Sequence, residues 1–214
     1  MAVLRHFRRN RQSLRRDVLA FATSSLRLVP LVSALAIGAS RPAGAAPSFV
    51  NGLTIRGDLL DLSGGTTVNN GRLGFFSDLY YDPNRQEWWA LSDRGPGGGT
   101  ISYDTRVHRF RLDVNAQTGA ISNFQLQQTL LFRNNNVTFN GLAPNPANAL
   151  GNSLDPEGFV VHPKTGNFYL SDEYGPALLE FNRSGQLLRQ FNVPTSLTPK
   201  LGANVNYKIG RAHV

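Results

Sequence analysis

One pattern occurs twice in this chain, and it restricts the fold more than any other feature. Ser77–Pro96, SDLYYDPNRQEWWALSDRGP, lines up with Glu157–Pro176, EGFVVHPKTGNFYLSDEYGP. Each copy runs through strand-forming residues, a polar one, Pro, a turn, an aromatic-rich stretch, Ser-Asp, a charged residue and Gly-Pro. Two more strand-like stretches follow each copy: VHRFRLDV and ISNFQLQQTLLF after the first, ALLEF and LLRQFNV after the second. The apolar runs are short and bounded by Gly, Pro, Asn and Asp, without a sustained helical period. Four consecutive antiparallel strands, repeated, are the blade of a β-propeller. The expected fold is all-β, a β-propeller of four-stranded antiparallel blades. It is incomplete, with about two blades plus an N-terminal strand at Gly52–Leu62. A β-sandwich is the competing architecture.

The copies start 80 residues apart, more than the ~40–50 of a bare blade. Inserts at 95–106 and 133–154 account for the excess. The first, opening on GPGGG, lacks the Lys-Ser/Thr of a nucleotide loop and reads as flexible. The second, rich in Asn, Pro and Gly, reads as a surface loop.

Charge divides the chain. The net charge is +8, but residues 1–45 carry eight arginines against Asp17 alone, which leaves +1 for the remaining residues. A polyanion-binding body is therefore not expected, and no nucleic-acid partner. The basic segment is followed by the apolar run Leu28–Ser40 and by Ala43-Gly44-Ala45, the layout of an export signal over residues 1–45. Arg15-Arg16 fits a twin-arginine signal as loosely as the whole fits a Sec signal. The run is too short for a bilayer span, which takes ~20 residues. The expected product is an exported, periplasmic or extracellular monomer. It would have no stable membrane span after cleavage and, without cysteine, no disulfide. At the far end, Ile209–Val214 can be back-translated into a widely used sequencing-adapter string. The expectation is a partial propeller domain over 46–207, adapter-derived sequence over 208–214, and a natural chain that continues.

The second copy places acids at both ends of a hairpin. In an antiparallel pair the start of the first strand lies beside the end of the second. The reading therefore brings Asp155, Glu157, Asp172 and Glu173 to one face, opposite the HPKTGN turn, with Asp78, Asp93 and Arg94 as the counterpart in the first copy. Like charges held close are costly unless a cation neutralises them. Ca²⁺, a hard ion that takes oxygen ligands, is the expected cofactor, with Asp93, Asp155, Glu157, Asp172 and Glu173 as ligands. Asp93 and Asp172 have a second reading, since Asp after a strand often accepts backbone N–H groups in a turn. His108 and His162 read as structural or solvated, and Trp88, Trp89, Phe168 and Tyr169 as packing between blades. No Gly-x-Ser-x-Gly elbow or Ser/His/Asp arrangement stands out.

The strings SDRGPGG, DPEGFVVHP and LSDEYGPALLEF resemble the phytase-like propeller family with esterase-like activity, over about Leu53 to Pro194. The resemblance implies an exported bacterial propeller with an acidic, calcium-dependent, ester-hydrolysing site. By position, Asp155, Glu157, Asp172 and Glu173 match the acidic motifs, and Asp93 with Arg94 matches the Asp-Arg-Gly motif. A further Gly-Phe-Glu-type motif expected downstream is absent. The expected partner is a small-molecule phosphate or carboxylic ester, with Glu157, Glu173 and Arg94 as catalytic residues. Two alternatives stand beside it: a non-catalytic ligand- or protein-binding propeller with structural calcium, and a metal-dependent lactonase.

Overall fold

The computed structural model describes residues 2–5, 47–56, 58–65 and 69–208. Of the expected export signal only Ala2–Arg5 is among them. The apolar run, the Ala43-Gly44-Ala45 site, Arg15-Arg16 and the segment 209–214 lie outside the described residues.

The described residues form an all-β structure with one 3-10 turn, Thr195–Leu197. Strands β1 (Ala2–Arg5) and β2 (Gly52–Ile55) pair with each other. Strands β3 (Phe76–Asp82), β4 (Glu87–Ser92), β5 (Arg106–Val114) and β6 (Ile121–Leu131) form a four-stranded meander in that order. A short hairpin follows, β7 (Arg133–Asn134) and β8 (Val137–Thr138). Strands β9 (Pro156–Val161), β10 (Phe168–Asp172), β11 (Ala177–Phe181) and β12 (Leu187–Gln190) form the second meander, and β13 (Lys200–Leu201) with β14 (Asn204–Val205) a final hairpin. Neighbouring strands in both meanders are antiparallel.

The two copies of the repeat are thus the first hairpins of two equivalent sheets. Their turns are capped alike: Asp82 Oδ1 accepts the N–H groups of Asn84 (2.9 Å) and Arg85 (3.3 Å), and His162 Nδ1 accepts those of Lys164 (3.3 Å) and Thr165 (3.1 Å). His162 is therefore a turn cap, standing where the first copy has Asp82.

The core lies mainly between the sheets. Trp89, Leu91 and Val107 from the first meet Phe159, Phe168, Leu170 and Phe181 from the second, with Trp89 and Phe168 rings 4.9 Å apart. Period-2 alternation in β4 and β10 points these residues to the shared face. A second cluster, Ile55, Leu73, Ala90, Phe110, Leu112 and Ile121, joins the segment before β3 to the first sheet. The first strands of the two sheets also touch, through Phe159 N–H to Asp78 Oδ2 (2.7 Å) and Tyr80 O–H to the Val161 carbonyl (3.3 Å).

One expectation is revised. Within Gly52–Leu62 the strand covers Gly52–Ile55; Leu60 makes an isolated bridge to Arg72, and Asp61 turns inward to the buried guanidinium of Arg106. A charge with a buried partner overrides the apolar pattern of that stretch. No helix among the described residues is long and apolar enough to cross a membrane.

Candidate functional site

Hairpin β9–β10 brings its two ends together as antiparallel pairing requires. One carboxylate oxygen from each of Asp155, Glu157 and Glu173 lies within 4.8 Å of the others. The backbone closes the end: Glu173 N–H donates to the Asp155 carbonyl at 2.9 Å.

A β-bulge aims the central acid. Ser171 pairs with Gly158 but Asp172 pairs with Pro156, which leaves Glu157 as the extra residue. A bulge breaks strict alternation and redirects a side chain. The first sheet has the same irregularity, with Phe76 opposite Ser92 and Asp78 opposite Leu91, so that Ser77 is the extra residue. Ser77 and Glu157 are the aligned positions of the repeat. The backbone device is shared and only the second copy arms it with a carboxylate. The Gly after Glu157 follows from space, because a Cβ on Gly158 would lie 2.7 Å from Ser171 Oγ.

Arg94, from the loop after β4, reaches across to this cluster. Its backbone N–H donates to Asp155 Oδ1 at 3.2 Å, its Nη1 donates to Asp155 Oδ2, and the same nitrogen is 3.6 Å from Glu173 Oε2. The first repeat thus supplies a guanidinium to carboxylates of the second. Two residues outside the sequence reading hold it there. A Cβ on Gly141 would lie 2.1 Å from the Arg94 carbonyl oxygen, and the buried Tyr174 donates its hydroxyl to the Gly141 carbonyl at 2.8 Å. Much of the Asn-rich insert is exposed, as expected of a surface loop, and at Gly141 it packs against the backbone of Arg94. The glycine-rich insert is also tied down: Ala143 N–H bonds the Gly99 carbonyl at 2.9 Å, and Gly95, Gly97, Gly98 and Gly99 all have positive φ.

Asp93 and Asp172 reach the same region but spend oxygens on turns. Asp93 Oδ1 accepts Gly95 N–H at 2.7 Å. Asp172 Oδ1 accepts Asp155 N–H (2.9 Å) and Tyr174 N–H (3.1 Å), and Oδ2 accepts Gly175 N–H (3.2 Å). The geometry gives Asp172 the turn role considered for it, one that also fixes the backbone of Asp155. Asp172→Ala leaves three N–H groups without this acceptor and is expected to cost about 1–3 kcal/mol. Urea unfolding checks this; an unchanged midpoint would show that the turn stands without it.

The acids carry the mark of crowding. Burial, then the charges of Glu173 and Asp93 against the relief from Arg94, pushes Asp155 up to about 6. Partial loss of water, then the charges of Asp155, Glu173 and Asp93, pushes Glu157 up to about 7. Burial also raises Asp93, and it pushes Asp172 up to about 7 against three backbone hydrogen bonds. Arg94 alone does not neutralise the cluster. Three carboxylates in reach of one another, all hard oxygen donors, fit a hard divalent cation.

A serine–histidine contact does exist, but it is not nucleophilic machinery. Ser92 Oγ lies 3.1 Å from His108 Nε2, both residues being fully buried. The Leu73 carbonyl can only accept, so Nε2 carries the proton toward it (2.9 Å), and Nδ1 of the neutral ring accepts the Thr129 hydroxyl hydrogen (3.0 Å), while Thr129 Oγ also accepts Leu62 N–H (3.0 Å). Nε2 has no lone pair with which to activate Ser92, whose hydroxyl bonds the same carbonyl at 2.9 Å. Burial pushes His108 down to about 3. A folded value below the unfolded ~6.5 gives a contribution complete above that pH and lost as pH falls toward 3, at ~1.4 kcal/mol per unit. The raised acids of the cluster titrate in the same window with the opposite sign, so the slope is expected in the difference between wild-type and His108→Gln unfolding free energies measured between pH 7 and 4, and a flat difference would remove His108 as its source.

A family profile described as "Phytase-like: Esterase-like activity of phytase" matches residues 71–210, well over half of the chain and the whole of the site. The chain belongs to the phytase-like family. It is also similar to an "Uncharacterized secreted protein" of Arthroderma benhamiae, with 28% identity over 155 residues that cover 56% of this chain. The aligned part spans 30% of that relative's length. No solved structure matches the chain.

Proposed function

We propose that this phytase-like protein is an exported, calcium-dependent ester hydrolase, acting on phosphate or carboxylic esters at the acidic mouth formed by Asp155, Glu157, Glu173 and Arg94. The observation that carries the reading is the convergence of three carboxylates and a guanidinium from two copies of one repeat. We further propose that the two sheets are consecutive blades of a β-propeller. The contact between first strands β3 and β9 and the shared aromatic core fit blades arranged about an axis. The name of the Arthroderma benhamiae relative supports export.

Asp155, Glu157 and Glu173 would hold the cation. When bound it would polarise the ester oxygen and make a neighbouring water more acidic. The chain's own groups do the rest. Arg94 offers a planar fork of donors to an anionic group of the ester. Glu157, exposed and aimed by its bulge, accepts the proton of the attacking water at a carboxylate oxygen. Glu173, tied to Asp155 through the backbone, keeps the carboxylates in register.

Full-length protein assayed on phosphomonoesters, acyl esters and lactones, with calcium and with chelator, tests the reading. Hydrolysis of one ester class that disappears with chelator and returns with calcium is expected. Bound calcium without turnover on any of the three would mark the protein as a binding module, and lactone turnover alone would move it to the lactonases.

A further inference from the structure

Arg94 contacts two of the three carboxylates that could hold a cation. Its Nη1 contacts Asp155 Oδ2 and lies 3.6 Å from Glu173 Oε2, which are oxygens of two of the three residues able to hold a metal. A guanidinium and a dication at the same carboxylates repel one another, so each weakens the other's hold. The main chain of Arg94 is fixed by its N–H bond to Asp155 Oδ1 and by Gly141 packed against its carbonyl. The side chain has a flexible stem and about a quarter of its surface in solvent. The head can leave while the backbone stays.

Resting on the proposed cation site, we infer that Arg94 is the built-in counter-ion of that site in its metal-free state, exchanged for the metal and thereby released to bind the anionic group of the substrate. In the metal-free protein the guanidinium partly offsets the repulsion among Asp155, Glu157 and Glu173. Metal binding takes over that task and turns the freed donors toward the mouth. Binding is then ordered, metal before anion, and the two ligands favour one another by the same factor in either direction.

Calorimetric titration of the full-length protein with calcium, in wild type and Arg94→Gln, decides the matter. Arg94→Gln is expected to bind calcium about tenfold tighter, the equivalent of ~1.4 kcal/mol of lost competition. It is also expected to melt lower than wild type in chelator and to close that gap in calcium. Calcium-loaded wild type is expected to bind inorganic phosphate, which neither chelator-treated wild type nor Arg94→Gln does. If wild type binds calcium and the variant binds it equally or more weakly, Arg94 holds Asp155 in place instead of competing, and the inference fails alone. If wild type binds no calcium, the cation site fails and the inference with it. Should the variant not fold, the Nε–H resonance of Arg94 in nitrogen-labelled wild type gives the same answer: it shifts on calcium addition if the head is displaced and stays put if it is not.

Discussion

Glu157→Gln is expected to lower ester turnover by about 10²–10⁴-fold, the range typical for loss of a positioned proton acceptor. The substitution keeps the shape of the side chain and removes its charge. It should leave the fold intact, because Glu157 is exposed and its carboxylate accepts no hydrogen bond among the described residues. Stability is expected to change by no more than ~0.5 kcal/mol. In the metal-free protein the change is toward stabilisation, since one of three crowded charges is gone. Kinetics at two calcium concentrations separate the two jobs assigned to this carboxylate. A loss that excess calcium repairs belongs to metal binding, and a loss that persists at saturation belongs to proton transfer. Wild-type kcat/KM in a folded Glu157→Gln protein at both concentrations would remove the residue from the mechanism.

That carboxylate also shows how far the sequence could be read. The repeat placed acids at both ends of hairpin β9–β10, and antiparallel pairing is local enough that their meeting followed from order along the chain. The bulge did not follow. Strict alternation would have assigned Glu157 a face by parity, and only comparing its pairing with that at Ser77 shows both as extra residues. Asp172 and Glu173 are adjacent acids with different work, one accepting three backbone N–H groups and the other joining the cluster. Residue type alone gives no reason to separate them. The link from Arg94 to Asp155 spans 61 residues and depends on two sheets packing side by side. Gly141 and Tyr174 act only because an insert folds back against the Arg94 carbonyl, and they carry no catalytic residue type that would announce them. The serine–histidine contact at Ser92 and His108 depends on the register of the neighbouring strands β4 and β5, and its tautomer shows why it has no nucleophilic part.

The least legible element is also the one whose loss is expected to be most damaging to the fold. Arg106→Met is expected to cost about 3–5 kcal/mol, because it strands a buried carboxylate. Arg106 is fully buried, as is the side chain of Asp61 but for a trace. Its guanidinium serves several acceptors at once: Asp61 Oδ2, the Asn70 carbonyl (2.9 Å) and Oδ1 (2.6 Å), and the Asp104 carbonyl (2.7 Å) through Nε. It also stacks over the Tyr103 ring with 4.0 Å to the centroid. A lysine in its place could offer one compact charge but not this planar set of donors, so Arg106→Lys should recover only part of the loss. The pair clamps residues 58–65 and 69–73 onto β5, and the latter carry the Leu73 carbonyl to which Ser92, Tyr103 and His108 all bond. Ser92 in turn ends the strand from which Asp93 and Arg94 project, so the clamp stands behind the site. Thermal unfolding is expected to show a Tm lower by about 6–20 °C for Arg106→Met. The double variant Arg106→Met/Asp61→Leu should lose less than the single, since it removes the stranded charge as well. A single variant that melts within a degree or two of wild type would mean the segment is held by the apolar cluster of Ile55, Leu73 and Phe110 instead.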